Sequence, residues 1–176
     1  EVEIQQARSF GLKRAKVINV LSHENDQNLI SLISINEFDI PTDFTPEAIS
    51  LAEQAQPVKI SKGREDLRDI NLITVDGDDA RDFDDAIWAE KDKNPHNLNG
   101  WRMIVAIADV AHYVSNGDPL DIDARKRGNS VYFADRVVPM LPENLSNGLC
   151  SLKPNEDRGC LAVEITIDKF GHKKSH

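Results

Sequence analysis

The sequence is poor in cysteine and contains no long apolar run. Only two of its 176 residues are cysteines, Cys150 and Cys160, and their spacing matches no zinc-binding pattern. We interpret both as small core side chains, for which a reducing cytoplasm is the simplest setting. No apolar stretch approaches the ~20 residues that a membrane span requires, and no secretory signal pattern opens the chain. The sequence therefore predicts a cytoplasmic protein without a disulfide framework and without a membrane partner.

Several motifs of nucleotide and acyl chemistry are also missing, and so is an excess of basic charge. The sequence has no lysine-bearing P-loop, no G-x-S-x-G motif and no internal repeat. Its formal net charge is −9, which argues against non-specific wrapping of nucleic acid by the chain as a whole. This charge does not exclude a nucleic-acid enzyme, because bound metal ions would offset part of an acidic cluster.

What the sequence does contain is an acidic run at positions 76–85. These ten residues, DGDDARDFDD, hold six aspartates and one arginine, which gives a local formal charge of −5; we call them the aspartate loop. Apolar runs at 71–75 and 86–89 flank the loop, so its carboxylates are crowded between two apolar segments. Crowded carboxylates repel one another, and their pKa values rise unless a cation neutralises them. Because a hard divalent cation prefers oxygen ligands, the loop predicts a Mg²⁺ or Mn²⁺ site.

Three interpretations of the aspartate loop compete. A calcium loop of the EF-hand type is excluded, because Ala80 would occupy a required ligand position. A solvated acidic loop suits Asp78 and Asp79. The third interpretation is a phosphoryl-transfer site, in which carboxylates hold one Mg²⁺ ion or two ions ~3.5–4 Å apart. An extended backbone places Asp82 and Asp84 on the same side, and the absence of a P-loop favours phosphodiester hydrolysis over nucleotide-dependent transfer.

The first 44 residues have the pattern of short strands. Alternating or apolar residues predict strands at 2–4, 15–21 and 29–35, with a polar hairpin turn at 22–28. Basic residues around Phe10 suit a nucleic-acid-facing sheet of the OB kind. A solvated sheet edge protected by lysines is the other interpretation of this segment.

After residue 45, helix-end signals and apolar runs predict a mixed structure. Thr45 followed by Pro46 begins one helix, and a second helix runs from Asp118 and Pro119 to Gly128. A continuous apolar run at 101–108 predicts a central strand covered on both faces. Further elements are predicted at 71–75, 86–90, 130–133, 137–141, 142–148 and 159–168. The predicted fold class is α+β, with partial OB-type β-barrel strands in 1–44, a helix and linker in 45–70, and a mixed α/β portion in 71–176.

Four segments of the sequence together resemble a known family. They are residues 72–86 (LITVDGDDARDFDDA), 105–114 (VAIADVAHYV), 127–132 (RGNSVY) and 139–152 (PMLPENLSNGLCSL). Their order is similar to that in the ribonuclease II / ribonuclease R (RNB) family of exoribonucleases. The resemblance implies that residues 1–44 are the C-terminal part of a cold-shock (OB) RNA-binding domain. It also implies that residues 71–176 are the N-terminal part of an RNB catalytic domain.

The resemblance further implies an activity and roles for site residues. The implied activity is that of a Mg²⁺-dependent, processive 3′→5′ exoribonuclease that hydrolyses single-stranded RNA to 5′-nucleoside monophosphates, with Mn²⁺ as an alternative ion. The family's four catalytic aspartates fall on Asp76, Asp82, Asp84 and Asp85. By the same resemblance, Asp76, Asp82 and Asp85 are metal ligands and Asp84 is the residue most needed for cleavage. Tyr132 matches the tyrosine that stacks on the 3′-terminal base, and core packing is the alternative for it.

Two expectations concern the chain as a whole. Because it opens on Glu1 rather than methionine, we expect a piece of a longer polypeptide. The resemblance implies that essential groups of the active site lie beyond His176, so we expect this piece to be inactive by itself and to expose apolar surface. The alternative function is a non-catalytic RNA-binding module in which the aspartate loop holds a structural divalent ion. Mg²⁺-dependent release of mononucleotides by the full-length protein would separate the two functions.

Overall fold

The computed structural model describes residues 2–5, 14–18, 20, 28–61 and 63–176. In chain order its elements are β1 (Val2–Ile4), β2 (Ala15–Val17), α1 (Leu29–Glu37), α2 (Pro46–Gln54), β3 (Asp85–Lys91), β4 (Trp101–Ala108), α3 (Pro119–Arg127), β5 (Val131–Tyr132), β6 (Val137–Val138), β7 (Cys160–Ile167) and β8 (Lys173–Ser175), with short 3₁₀ turns at Pro95–Asn97 and Val110–His112 and a π-helical turn at Leu145–Leu149. These elements confirm the predicted α+β class. They form two compact units, Glu1–Asp43 with Asn129–Val138, and Phe44–Gly128 with Pro139–His176.

The first unit begins with a short antiparallel pair of strands. β1 pairs with β2, with Val2 opposite Val17. The prediction for β1 is confirmed. The strand predicted at 15–21 is confirmed at Ala15–Val17, and residues 19 and 21 lie outside the described residues. The predicted hairpin turn at 22–28 lies almost entirely outside the described residues. The OB-type interpretation of this segment therefore stays a prediction.

The strand predicted at residues 29–35 is wrong, because these residues form helix α1. A short apolar run fits a buried helix as well as a strand. Ser31 and Ile35 are one helical turn apart and both are buried, which gives α1 a packed face. The Ser31 hydroxyl donates to the carboxylate of Asp135, which lies in the turn between β5 and β6. The partner of Ser31 in this bond is distant in the sequence, so the local sequence pattern does not reveal it.

The second unit is built on a four-stranded antiparallel sheet with the order β3-β4-β7-β8. The predicted strands at 86–90, 101–108 and 159–168 are confirmed as β3, β4 and β7, whereas β8 was not predicted. The predicted strand at 71–75 is wrong, since Ile73 makes only an isolated bridge to Ile87. The apolar run at 71–75 is short because Asp69 and Asp76 flank it closely, so it offers few residues for pairing with β3.

One face of this sheet is covered and the other is not. Ile104, Ala106 and Ala108 of β4 are buried. The opposite face carries a cross-strand apolar patch whose members are 37% to 75% exposed. We call it the apolar sheet face, made of Ile73, Ile87, Ile107, Leu161 and Val163. The prediction that residues 101–108 are covered on both faces is therefore wrong for this chain. An uncovered apolar patch of this kind favours association.

The buried core of the second unit lies where α2, α3 and the π-helical turn meet the end of β4. Its buried members are Ala48, Ala52, Ala108, Leu120, Leu145 and Cys150. The interpretation of Cys150 as a core side chain is thus confirmed, and Cys160 is partly buried. The helix predicted at 142–148 is confirmed: residues 143 and 144 are helical and continue into the π-helical turn Leu145–Leu149.

The two helices of this unit begin at the predicted residues. The Thr45 hydroxyl accepts from the amide of Ala48 at the start of α2, and the Asp118 carboxylate accepts from the amide of Asp121 at the start of α3. The buried carboxylate of Asp123 in α3 accepts from both the amide and the hydroxyl of Thr45, at 2.8 and 3.0 Å. This pair of bonds ties the start of α2 to α3. Across the described ranges, no helix combines the length and the apolar character that a bilayer crossing demands.

Candidate active site

The aspartate loop has two halves with different surroundings. In the first half, residues 76–80, the amide of Ala80 donates to the carbonyl of Gly77 at 3.0 Å and closes a turn. Asp76, Asp78 and Asp79 in this turn are exposed. The prediction of solvated side chains for Asp78 and Asp79 agrees with their exposure. Asp76 lies in this exposed turn, whereas the other three aspartates of the predicted site belong to the second half of the loop.

The second half of the loop, residues 81–85, is fixed by backbone hydrogen bonds to distant parts of the chain. The amide of Ala108 at the end of β4 donates to the carbonyl of Asp84 at 2.9 Å. Asp85 follows as the first residue of β3, paired with Ile107. The amide of Leu152 donates to the carbonyl of Phe83 at 2.8 Å. The backbone that carries Asp82, Asp84 and Asp85 is thus held by β4 and by Leu152.

A buried serine contacts this half of the loop as well. The Ser151 hydroxyl accepts from the amide of Phe83 at 3.0 Å and donates to the carbonyl of Arg81 at 2.8 Å. The sequence analysis did not single out Ser151. Ser151 lies in the family motif at 139–152, which was the one feature that could have drawn attention to it. A single serine beside a cysteine does not by itself indicate a function.

The predicted aspartates share one electrostatic field, which is centred on Asp84. Partial burial raises the pKa of Asp84 even though the residue as a whole remains exposed. The negative charges of Asp82, Asp85 and Asp76, in this order, raise it further. Three of the four residues picked out by the family resemblance therefore act electrostatically on the fourth, Asp84. Their repulsion is the kind that a bound cation relieves.

The same carboxylates are not assembled into a ready ligand group. Among the described residues, no three or more histidine, cysteine, aspartate or glutamate side chains are placed to hold a metal ion. The chemistry of the donors nevertheless fits Mg²⁺ or Mn²⁺, since all four are hard oxygen ligands. The ligand set of Asp76, Asp82 and Asp85 stays a prediction, and so does the catalytic role of Asp84.

Tyr132, the predicted RNA-stacking residue, belongs to the first unit. It lies in β5, paired with Val137 of β6, and is 63% exposed. An exposed tyrosine is unlike a core-packing residue, and its ring is presented to solvent as stacking requires. Its role in RNA binding stays a prediction.

An open groove runs beside the aspartate loop. Its lining includes Arg81 and Phe83 of the loop. It also includes Asn147, which lies in the π-helical turn, and Lys153, which follows that turn. Two acidic residues, Glu143 and Glu156, line it as well, so its charge is mixed. The groove gives a ligand access to the second half of the loop, where cationic, aromatic and amide groups occur together.

Cys150 lies close to the candidate site but has no nucleophilic character. Burial, followed by the charges of Asp84 and Asp109, raises the pKa of the Cys150 thiol to about 11. A thiol with such a pKa stays protonated at neutral pH. Asp109 itself does not cap the turn that follows it; its carboxylate lies 2.6 Å from the Arg64 guanidinium instead.

Comparison with known proteins identifies the family. The model of the RNB domain matches residues 64–176, which is more than half of the chain. The chain belongs to the RNB family. The family resemblance found in the sequence is thereby confirmed, and the matched RNB segment contains both halves of the aspartate loop, Ser151 and Tyr132.

The relatives of this RNB chain are much longer than the chain itself. It is 46% identical over 181 residues to Ribonuclease R of Vibrio parahaemolyticus, with 100% of this chain and 21% of that protein covered. Its fold matches Mycoplasma genitalium RNase R in complex with double-stranded RNA, with a TM-score of 0.80, 32% identity, and coverage of 99% of this chain and 31% of that one. It also matches the same enzyme in complex with ribose-methylated single-stranded RNA, with a TM-score of 0.79, 34% identity, and coverage of 93% and 25%. The chain thus spans about a fifth of the length of the curated relative it matches.

Proposed function

We propose that the full-length protein is a Mg²⁺-dependent, processive 3′→5′ exoribonuclease. It hydrolyses single-stranded RNA to 5′-nucleoside monophosphates, and it works in the cytoplasm. The observation that carries this proposal is the cluster of four aspartates around Asp84, found in a chain of the RNB family. Support for RNA as the substrate comes from the solved relatives, whose complexes contain single-stranded and double-stranded RNA.

The aspartates have distinct roles in this proposal. Asp76, Asp82 and Asp85 hold Mg²⁺, directly or through water, and Mn²⁺ can replace it. When bound, the ion supplies stabilisation of the negative charge that develops during phosphodiester hydrolysis. A carboxylate oxygen of Asp84 accepts a hydrogen bond from the attacking water and orients it. The position of Asp84 within the field of the other three carboxylates supports this role, because it places a hydrogen-bond acceptor beside the residues that hold the ion.

The central experiment measures product formation by the full-length protein. With Mg²⁺ and a 5′-labelled single-stranded RNA, we expect stepwise shortening from the 3′ end and release of 5′-nucleoside monophosphates, both of which EDTA abolishes. Asp84→Asn should lower the hydrolysis rate by at least ~100-fold and leave RNA binding nearly unchanged. Asp79→Asn is the matched control, because it makes the same chemical change in the exposed turn and should retain activity. Undiminished degradation by Asp84→Asn would contradict the proposal.

One observation favours a second candidate function. Tyr132 is exposed while the aspartates of the described structure are not gathered into a ligand group, as would suit a non-catalytic RNA-binding module. As a module that binds RNA without cleaving it, this candidate predicts RNA binding without any release of mononucleotides by the wild-type full-length protein. Product analysis in the experiment above therefore separates the two functions.

A further inference from the structure

The Ser151 side chain is completely buried and makes two hydrogen bonds, both to the aspartate loop. Its exposed fraction is 0%. The hydroxyl oxygen accepts from the Phe83 amide at 3.0 Å, and the hydroxyl proton is donated to the Arg81 carbonyl at 2.8 Å. The Arg81 carbonyl belongs to the peptide group before Asp82, and the Phe83 amide belongs to the peptide group after it. One hydroxyl thus fixes both peptide groups of Asp82.

The segment that carries Ser151 is itself firmly held. Leu145, the first residue of the π-helical turn, and Cys150, which directly follows the turn, are core residues with 0% and 2% exposure. The Cys150 amide donates to the Leu145 carbonyl at 2.8 Å, and the Ser151 amide donates to the Gly148 carbonyl at 3.1 Å. The hydroxyl of Ser151 is therefore placed by the core rather than by the loop that it contacts.

The residue after Ser151 extends the contact along the loop. The Leu152 amide donates to the Phe83 carbonyl at 2.8 Å, so that both backbone polar groups of Phe83 have a partner in residues 151–152. Together with the bond from the Ala108 amide to the Asp84 carbonyl, these contacts determine the backbone from Arg81 to Asp84. Among these contacts, only those of Ser151 are made by a side chain. They are therefore the contacts that a substitution can remove.

We infer that Ser151 is a positioning residue for the metal-binding carboxylates of the aspartate loop. The inference rests on the proposed function, in which Asp82 is one of the residues that hold Mg²⁺. Loss of a group that orients a metal ligand typically weakens metal binding about 10–100-fold, because the displaced ligand must be reordered when the ion binds. Removing the hydroxyl leaves the Phe83 amide and the Arg81 carbonyl without this partner at a fully buried position. The loop then relaxes, and the Asp82 carboxylate loses its fixed position.

A matched pair of serine variants of the full-length protein tests this inference. Ser151→Ala removes the hydroxyl that contacts the loop, whereas Ser146→Ala removes one that donates to the Leu141 carbonyl at 3.4 Å in the same segment. By titration calorimetry without RNA, we expect Ser151→Ala to bind Mg²⁺ about 10-fold more weakly than the wild type and Ser146→Ala to bind it normally. In hydrolysis, the Ser151→Ala variant should need more Mg²⁺ for half-maximal rate and recover much of its rate at saturating Mg²⁺. Equal Mg²⁺ affinity of Ser151→Ala and the wild type would overturn the inference.

Hydrogen exchange of the unsubstituted protein tests the same inference even if Ser151→Ala does not fold. The Phe83 amide is bonded to a buried hydroxyl, whereas the Asp78 amide lies in an exposed turn. We expect the Phe83 amide to exchange far more slowly than the Asp78 amide. Similar exchange rates of the two amides would show that the Ser151 bond does not persist, and would overturn the inference.

These measurements also separate the inference from the proposed function. Mg²⁺ affinity and amide exchange are measured without RNA, whereas the proposed function depends on mononucleotide release by the wild type. A wild-type protein that binds Mg²⁺ in a Ser151-dependent manner but releases no mononucleotide supports the positioning role and overturns the exoribonuclease proposal. If the wild type degrades RNA and Ser151→Ala binds Mg²⁺ normally, the exoribonuclease proposal is supported and the positioning role is overturned.

Discussion

The guanidinium of Arg64 lies 2.6 Å from the carboxylate of Asp109. Arg64 belongs to the irregular segment before the aspartate loop, and Asp109 directly follows β4. The ion pair therefore joins the two ends of a chain segment that contains the aspartate loop, β3 and β4. Both side chains are partly buried, with exposed fractions of 30% and 19%.

A double-mutant cycle should find this ion pair to be stabilising. Combining Arg64→Ala with Asp109→Ala, we expect a coupling free energy of about 1 kcal/mol in urea unfolding, because partial burial limits solvent screening. The Arg68–Asp66 pair is a suitable control, since its side chains are 56% and 46% exposed. Although hydrogen bonds from Arg68 lower the pKa of Asp66 to about 2, solvent screens this exposed pair, and its coupling should be smaller. A smaller coupling for Arg64–Asp109 than for the control would contradict the prediction.

Removing the charge of Asp84 should stabilise the metal-free protein at neutral pH. Partial burial and neighbouring carboxylates raise the pKa of Asp84 above its ordinary value of 3.8. The stabilising contribution of such a group is fully present below its unfolded pKa and is lost as the pH rises through the folded pKa. In EDTA at pH 7, Asp84→Asn should therefore have a higher melting temperature than the wild type, and the difference should shrink as the pH falls toward 3.8. Added Mg²⁺ should stabilise the wild type more than the variant; a variant that is less stable in EDTA at pH 7 speaks against this account.

Substitution of Tyr132 should weaken RNA binding through loss of an aromatic ring. Stacking of a base on an aromatic side chain contributes about 1–3 kcal/mol per base. In the full-length protein with Asp84→Asn, which holds RNA without cleavage, Tyr132→Ala should raise the Kd for a short single-stranded RNA about 10-fold. Tyr132→Phe keeps the ring and should bind nearly as the parent does. If the alanine and phenylalanine variants bind RNA equally well, stacking by Tyr132 is refuted.

The apolar sheet face should make the 176-residue chain self-associate when it is produced alone. Leu161 of this face is 75% exposed, and Leu161→Lys should shift the molar mass in light scattering toward that of the monomer because the charge opposes apolar contact. Phe170→Lys is the matched control, since Phe170 is 72% exposed in the turn between β7 and β8 and lies outside that face. A wild-type chain that stays monomeric at millimolar concentration would rule out this prediction.

Features with local causes could be predicted from the sequence. Thr45 and Asp118 cap their helices through bonds to residues three positions ahead. Gly128 ends α3 with a positive φ of 81°, a conformation that glycine adopts without a steric penalty. The apolar run of β4 is likewise visible in the sequence. In each case the residues that decide the structure lie next to one another.

Features with distant causes could not be predicted in this way. Residues 29–35 are equally apolar for a strand or a helix, and the Ser31–Asp135 bond connects positions 104 residues apart. Coverage of β4 on one face only depends on what packs against the sheet. The aspartates of the candidate site were predicted because they are consecutive and match a family motif. Ser151 was missed because its contacts with the loop arise only in the folded chain.

The two bonds of Ser151 have a consequence for biosynthesis. Phe83 and Arg81 precede Ser151 by 68 and 70 residues, so a ribosome completes the aspartates long before it adds the serine that holds them. A nascent chain therefore carries the acidic residues without their fixed backbone until the intervening strands and helix have been made. Closing so long a loop is entropically costly and slow. The geometry of the aspartates is thus acquired late in folding, and an interrupted translation product that ends before residue 151 never acquires it.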